Sequence, residues 1–374
     1  MKYNISVRKE NFVAAAIVAA ATVGDGVFAL PFVFYRAGWA LGLAYLLILG
    51  VVVVAAHVVY FKTLEVVGEK KRLLGLAKEY LGTGGYWVGF FSVVAGLLLV
   101  LVAYLVLGTQ FVRLVSPSIP PSFALFLFWF LVSIPVFLSD YRITILEISG
   151  IVFTSAIIIF IFGNAFPNVV FSGIRTIDPT SFFLPFGAVL FSLAGWTGIE
   201  PAYESHARYK IFNGAWKGIA LGTIFAVVLK IMFVTGVLGS ASEITVDTIS
   251  GLFDWPLWKR EVVAILGLLA VWTIFLPISQ EIKNSLEGDL GWSKNFSRGL
   301  IVFLPLLLVV FGLNNFLVIV EIVGGVFLSI QYLLIISVGR RALSLSYYQK
   351  FFLDFASGIF LVAAVYQIWV FIVR

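Results

Sequence analysis

Two clusters of helix-breaking residues interrupt apolar stretches of this sequence. The first reads Gly24-Asp25-Gly26-Val27-Phe28-Ala29-Leu30-Pro31, and the second is Gly195-Trp196-Thr197-Gly198, followed by Pro201. An interrupted helix leaves unpaired amides at one end, which attract anions, and unpaired carbonyls at the other, which attract cations. Two such breaks at one depth of a membrane predict a transporter site for a zwitterion, and an α-amino acid is the natural ligand.

The residues predicted to contact this ligand belong to a break or face one from a neighbouring segment. They are Gly24, Asp25, Gly26, Val27, Tyr104, Ser192, Gly195, Trp196, Thr197 and Gly198. Tyr104 is a candidate aromatic lid, and ordinary helix packing is the alternative. Trp196 either admits an aromatic ring beside it or fills the pocket itself.

Three side chains are candidates for coupling to an ion. Asp25 lies inside the first break, where a carboxylate is costly and therefore functional by default, as a proton carrier or a cation ligand. The alternative is that it caps the half-helix that follows. Glu200 either reaches the cavity or pairs with a neighbouring span. Thr273 either helps to hold a cation or donates to a carbonyl of its own helix.

Two other polar residues receive structural interpretations. Lys230 lies about two turns from the end of an apolar stretch, which favours snorkelling to the outer interface. His57 is interpreted as a packed, hydrogen-bonded residue.

The composition indicates an integral membrane protein. The chain has 374 residues, of which 61% are hydrophobic and 12% are charged, against about 25% charged in soluble domains. It has no cysteine and two histidines, which excludes thiolate sites and disulfides and argues against a catalytic metal. We expect no cofactor. The net charge of +6 is attributed to cytoplasmic loops, and no nucleic-acid partner is expected.

A membrane span needs about 20 apolar residues, and this length predicts eleven spans in a single transmembrane domain. The predicted spans are 11–36, 40–61, 86–115, 122–139, 143–165, 181–204, 212–238, 261–283, 298–313, 316–338 and 352–373. The fold class is therefore all-α, with spans one and six discontinuous.

Lysine and arginine predict the orientation. With the N-terminus inside, 18 of the 25 basic residues lie on the inner side and 6 on the outer side. We therefore expect a multi-pass protein of the cell membrane with a cytoplasmic N-terminus and, after eleven spans, Arg374 outside.

The position of the breaks predicts an inverted repeat. The first break comes about thirteen residues into span one and the second about fourteen into span six, so both lie near mid-bilayer. Spans one to five and spans six to ten form the two sets. Because five is an odd number, span six enters the membrane from the side opposite to that from which span one enters. The domain then consists of repeat one at about 11–165, repeat two at about 181–338 and an extra span at about 352–373.

Two connecting segments are expected to do more than link spans. Residues 63–85 alternate charged and apolar side chains, which favours a short amphipathic helix at the inner interface over a plain connector. Residues 239–260 contain acidic residues and two tryptophans, and they form either a partly ordered outer lid or an interfacial aromatic anchor.

Several segments resemble those of known permeases. The first break and the Ala37-Gly38-Trp39 that follows resemble the first span of the amino acid/auxin permeases and of the bacterial aromatic amino acid permeases, within the amino acid-polyamine-organocation superfamily. The further segments that carry the likeness are Leu190–Glu204, Thr273–Leu276, Asp289–Ser293, Leu304–Leu308 and Gly324-Gly325.

This resemblance implies the five-plus-five inverted-repeat fold and ion-driven uptake of an amino acid. The substrate's carboxylate and amine would then meet freed backbone at residues 24–27 and 192–198. One departure matters, because relatives often have Thr-Ser where this chain has Thr273-Ile274. In sodium-coupled relatives that hydroxyl pair helps to bind sodium. Its loss, with Asp25 between two glycines, favours a proton over sodium as the co-transported ion.

The sequence thus predicts a secondary active transporter for an aromatic or other neutral amino acid, and not an enzyme. It lacks a nucleophile–base constellation and a continuous polar stripe, which argues against a membrane enzyme and against a channel. The alternative is an amino acid-sensing receptor on the same fold, without net transport.

Overall fold

In the computed structural model the chain is helical along almost all of its described length. The structure describes residues 2–23, 25–68, 72–137, 140–165, 175–209, 214–241 and 243–373. For residues 2–10, 25, 135, 137, 140–148, 208, 209 and 289 it describes the backbone alone. No strand occurs in these ranges, so the all-α prediction is confirmed for the described part of the chain.

The described residues form fourteen α-helices. The helices are α1 Lys2–Thr22, α2 Leu30–Ala37, α3 Trp39–Val67, α4 Leu73–Val115, α5 Pro121–Ser133, α6 Asp140–Ala165, α7 Leu184–Ser192, α8 Ile199–Tyr209, α9 Ala215–Ser240, α10 Leu257–Asn284, α11 Lys294–Val310, α12 Phe316–Ile322, α13 Ser329–Ala342 and α14 Tyr347–Val373. Turns of 3-10 helix follow α1 at Asp25–Ala29 and precede α8 at Trp196–Gly198, and a π-helical turn at Val323–Leu328 joins α12 to α13.

Six helical segments of the described chain are long and apolar enough to cross a membrane by themselves. They are Trp39–Val67, Leu73–Val115, Ala215–Ser240, Leu257–Gly288, Phe316–Ala342 and Tyr347–Val373. A seventh is the pair Asn11–Thr22 and Gly26–Ala37, which is bent by 49° at the first break. The other predicted spans fall on shorter or interrupted helices, such as α5 and the pair α7–α8. The count of eleven spans and the repeat arrangement therefore remain predictions.

The charged segment 63–85 includes a helix that turns sharply before it enters the apolar stretch. Residues 73–81 are helical, and Gly82 then has φ of 76° and ψ of −168°, outside the helical region. Glycine adopts a positive φ at little cost. The segment therefore contains a helix as predicted, and this helix is the first part of α4, before the kink at Gly82.

Glycines allow α9 to pack closely along α1. A Cβ on Gly222 would lie 2.5 Å from the carbonyl oxygen of Ala15, and one on Gly218 would lie 2.5 Å from that of Asn11. Two glycines four residues apart occupy one helix face, and small residues on such a face let membrane helices approach backbone to backbone. This contact sets the position of α9 relative to the first break.

We expect Gly222→Ala to destabilise the protein by about 1–3 kcal/mol, because the added methyl group overlaps the α1 backbone. Gly299→Ala is the matched control, since a Cβ on Gly299 of α11 meets nothing within 4 Å. The control should be neutral or stabilising by about 0.5–1 kcal/mol. Thermal unfolding of both variants in detergent measures the difference, and equal melting temperatures would contradict the proposed contact.

Candidate functional site

The two helix breaks contact each other in the interior of the protein. A Cβ on Gly26 would lie 2.6 Å from the ring of Phe191 and 2.7 Å from Cα of Ser192, so the first break abuts the end of α7. A Cβ on Gly195 would overlap the hydroxyl of Thr22, so the second break abuts the end of α1. Only glycine leaves room for these two backbone crossings.

A cavity of about 50 Å³ lies where the breaks meet. Six of the residues predicted to contact the substrate line it: Gly26, Tyr104, Ser192, Trp196, Thr197 and Gly198. The predicted Val27 and Gly195 are not among its lining residues; Val27 is fully buried and Gly195 packs against Thr22. Gly24 lies outside the described residues, as does the side chain of Asp25, whose backbone begins the 3-10 turn.

The rest of the cavity wall is apolar and comes mostly from α1, α4 and α10, with Phe191, Ala194 and Leu328 completing it. These lining residues include Ile17, Ala20 and Ala21 of α1, Leu97 and Val100 of α4, and Ile274, Pro277 and Ile278 of α10. Sequence reasoning missed this wall, because its members look like any other apolar residues of a span. The arrangement suits a ligand with a polar head at the backbone breaks and an apolar side chain.

Trp196 is held in place by an amide that sequence reasoning also missed. Its indole N–H donates to Oε1 of Gln331 at 2.7 Å, and Nε2 of Gln331 donates to the carbonyl of Ser92 at 2.7 Å. Both Trp196 and Gln331 are buried. An amide in the middle of an apolar stretch was the available signal, since a buried amide must find partners. Trp196 is therefore a fixed part of the cavity wall in this conformation.

His57 lies in a buried network that ends at the second break. Its Nδ1 is 3.0 Å from the hydroxyl of Thr223, and its Nε2 is 3.1 Å from that of Tyr332. The Tyr332 hydroxyl donates to the carbonyl of Leu193, just after α7, at 3.4 Å. The interpretation of His57 as a packed, hydrogen-bonded residue is confirmed.

Glu200 belongs to a charged cluster beside the cavity and does not line it. One carboxylate oxygen accepts from the Tyr60 hydroxyl at 2.5 Å and from the Leu73 amide at 3.3 Å. The other lies 3.4 Å from the guanidinium of Arg72, which donates to Glu281 at 2.6 Å. Tyr60 also contacts the ring of Trp196, with centroids 6.4 Å apart. We name Tyr60, Arg72, Glu200 and Glu281 the charged cluster.

Arg72 holds this cluster together from the α3–α4 connection. Burial acts to lower its pKa, but the carboxylates of Glu281 and Glu200 outweigh that effect and raise it above its ordinary value. The guanidinium therefore stays charged. Its side chain is 34% exposed, so the cluster reaches from the Trp196 wall of the cavity to solvent.

Thr273 does not line the cavity. Its hydroxyl donates within α10, to the carbonyls of Leu269 at 3.0 Å and Ala270 at 2.8 Å, while the next residue, Ile274, lines the cavity. A role for Thr273 in ion coupling remains a prediction, and this hydrogen bonding favours a structural role.

The snorkelling interpretation of Lys230 is wrong. The residue is fully buried, and its ammonium donates to the carbonyl of Thr22 at 2.9 Å. Thr22 is the last residue of α1, so this lysine caps the helix at the first break. The contact joins residues 208 positions apart, and the local sequence carries no sign of it.

Two solved structures share this fold. A manganese transporter from Eremococcus coleocola, in complex with an aromatic bis-isothiourea substituted compound, aligns with a TM-score of 0.65 and 13% identity over 96% of this chain and 87% of its own. A nucleobase-cation-symport-1 family transporter, in a closed conformation with bromovinylhydantoin bound, aligns with a TM-score of 0.58 and 12% identity over 86% of this chain and 77% of its own. These identities show a common fold alone.

No curated protein sequence matches the chain at a significant level. The model of the tryptophan/tyrosine permease family matches residues 8–338, which include both breaks, the cavity and the charged cluster. The protein therefore belongs to the tryptophan/tyrosine permease family, and this membership makes it a transporter rather than an enzyme.

Proposed function

We propose that the protein takes up an aromatic amino acid by symport with a proton, through alternating access. The observation that carries this proposal is the cavity between two crossing helix breaks, with backbone on one side and an apolar wall on the other. Membership of the tryptophan/tyrosine permease family supplies the substrate class. Sodium is the alternative coupling ion.

The two ends of the substrate match the two kinds of surface in the cavity. The breaks present bare backbone at Gly26 and at Ser192–Gly198, where helix ends offer partial charges of both signs to the carboxylate and the amine. The wall that includes Leu97, Val100 and Ile278 receives the aromatic ring. Tyr104 lines the cavity from α4 and completes this wall.

The size of the cavity supports an occluded conformation. Pockets for small organic ligands measure roughly 300–1,000 Å³, whereas this one is about 50 Å³. Substrate therefore enters only when the walls separate. Rocking of one set of helices against another around a site at mid-membrane is the usual way in which transporters of this architecture do so.

Each side of the cavity has a barrier. On one side, the charged cluster connects α3, α8 and α10 beneath Trp196. On the other, the α9–α10 connection reaches the first break, where the Thr248 hydroxyl donates to the carbonyl of Phe28 at 2.6 Å. The distribution of lysine and arginine assigns the cluster to the cytoplasmic side and the connection to the outside, with the N-terminus cytoplasmic and the C-terminus outside the cell membrane.

The first test is transport by purified protein in liposomes. We expect labelled tryptophan or tyrosine to accumulate when an inward proton gradient is imposed, and to equilibrate without accumulating when the gradient is collapsed with a protonophore. If only a sodium gradient drives accumulation, the coupling ion is sodium and not a proton. Binding without accumulation under either gradient would instead support a receptor.

A second test uses the absence of cysteine from this chain, which makes any introduced thiol unique. Thr197→Cys places one in the cavity wall, and Ser118→Cys places one at an exposed position in the α4–α5 connection. Tryptophan should slow maleimide labelling at position 197 and leave labelling at position 118 unchanged. Equal protection at both positions, or at neither, would argue against this cavity as the substrate site.

The charged cluster gives a third prediction. Arg72→Gln in the Thr197→Cys background should raise labelling from the cytoplasmic side about tenfold, because loss of a charge-assisted hydrogen bond worth roughly 1.5 kcal/mol favours the open state by that factor. Arg340→Gln is the matched control, since Arg340 forms an ion pair with Asp354 outside the cluster. Labelling that rises equally in both variants would contradict the barrier role.

A further inference from the structure

Lys230 is a buried cation that the proposed function does not yet use. It lies in α9 with no exposed surface, and none of the carboxylates whose side chains the structure describes forms an ion pair with it. A buried charge is costly unless it is paired and hydrogen-bonded. The presence of a lysine at this buried position therefore needs a functional explanation.

The ammonium lies at the carbonyl end of a broken helix. Among the described residues, its hydrogen-bond partner is the carbonyl oxygen of Thr22, at 2.9 Å. After Thr22 the chain leaves the α-helix, so this end of α1 carries partial negative charge. The Thr22 hydroxyl donates back to Val18 at 2.7 Å. The ammonium thus occupies the position at which the end of α1 would otherwise attract a free cation.

This position is in contact with the substrate cavity. Ala20 and Ala21, the two residues before Thr22, line the cavity, and Gly195 of the other break packs against Thr22 itself. A change in the charge on Lys230 therefore acts on backbone that both breaks share.

The packing of α9 holds Lys230 in register with the break. On one side, Gly222 fits against α1 at Ala15 and Ala19. On the other, Phe233 meets the ring of Phe28, in the first break, edge to face with centroids 5.2 Å apart. These two contacts lie on either side of Lys230 along α9 and fix its position. A functional group whose orientation matters is expected to be held in this way.

We propose that Lys230 is the resident cation of the first break and carries the co-transported proton, an inference that rests on the proposed symport. When protonated, it neutralises the end of α1 and stabilises the substrate-binding geometry. On release, one N–H bond of the ammonium breaks, the electron pair stays on Nζ, and the proton passes to water on the side to which the cavity is then open. The neutral amine no longer offsets the charge of the helix end, which favours the next conformation.

Two of the helices packed against α9 contribute no described titratable group. Residues 11–22 of α1 and residues 149–165 of α6 contain no acidic, basic, histidine or tyrosine residue. Residues 140–148 of α6 include titratable ones, among them Glu147, and for these residues the structure describes the backbone alone.

The remaining neighbours of α9 do carry titratable groups. On α3, His57 reaches α9 at Thr223, and on α8 the carboxylate of Glu200 is held by Tyr60 and Arg72 within the charged cluster. Arg36 of α2 is exposed. Asp25 begins the 3-10 turn three residues after Thr22, with its side chain outside the description. Asp25 is therefore the rival carrier, and the experiment must separate the two.

The test compares the wild type with Lys230→Arg and Lys230→Met in binding and in transport. Tryptophan affinity of the wild type should fall about tenfold for each pH unit above the midpoint, because binding of one proton is linked to binding of substrate. In Lys230→Arg the charge is permanent, so the affinity should be independent of pH over the same range. Lys230→Arg should still exchange tryptophan across the membrane, whereas Lys230→Met, which is permanently neutral, should bind tryptophan weakly. Both variants should lose accumulation driven by a proton gradient.

One control variant and one variant of the rival carrier isolate the effect. Lys217→Met makes the same chemical change at an exposed position of the same helix, and it should retain the wild-type pH profile and accumulation. Asp25→Asn should retain the pH slope of binding if Lys230 is the carrier. A flat profile in Asp25→Asn beside a normal slope in Lys230→Arg would overturn the proposal in favour of Asp25.

Failure to fold is also informative. The proposed cycle requires a neutral group at position 230 in one of its states, so Lys230→Met must give monodisperse protein in detergent. If it does not while Lys217→Met does, the role of Lys230 is structural and the proposal is overturned. Failure of the wild type to accumulate any aromatic amino acid would instead refute the proposed function, and this outcome is visible before any variant is made.

Discussion

The structure depends on one constraint, which is that backbone groups freed inside an apolar interior must find partners. The fold meets it with side chains brought from distant helices. Lys230 donates to the carbonyl at the end of α1, Thr248 donates to the carbonyl of Phe28, and Tyr332 donates to the carbonyl of Leu193. These bonds let two helices remain broken at the same place, and the cavity is the space between their ends.

The two breaks are capped by different chemistry. The first receives an ammonium, whereas the second receives a neutral hydroxyl backed by His57, with Trp196 fixed by Gln331. The first cap is thus a charged donor and the second a neutral one. In the proposed symport, coupling to an ion therefore takes place at the first break, and Trp196 with Gln331 forms the wall at the second. The charged cluster behind Trp196 connects that wall to solvent.

The sequence predicted the breaks well because glycine, proline and a carboxylate within an apolar stretch are local signals. Gly26, Ser192 and Thr197 lie in these breaks or at their edge, and all three line the cavity as predicted. The sequence predicted the number of spans less well, because that number depends on helix length. Helices α5 and α11 are too short to count as clear membrane spans by themselves, so the eleven spans and the inverted repeat remain predictions. Lys230 was misread because its distance from the end of its span resembles that of a snorkelling residue.

The sequence by itself determined the membrane class, the all-α architecture of the described chain and the location of both breaks. These follow from composition and from the local conformational preferences of glycine and proline. Only the tertiary structure decided which polar groups meet, including Lys230 with Thr22, Trp196 with Gln331, and Arg72 with Glu281. Such pairs lie more than a hundred residues apart, and they depend on the rotation and register of packed helices, which local sequence does not encode.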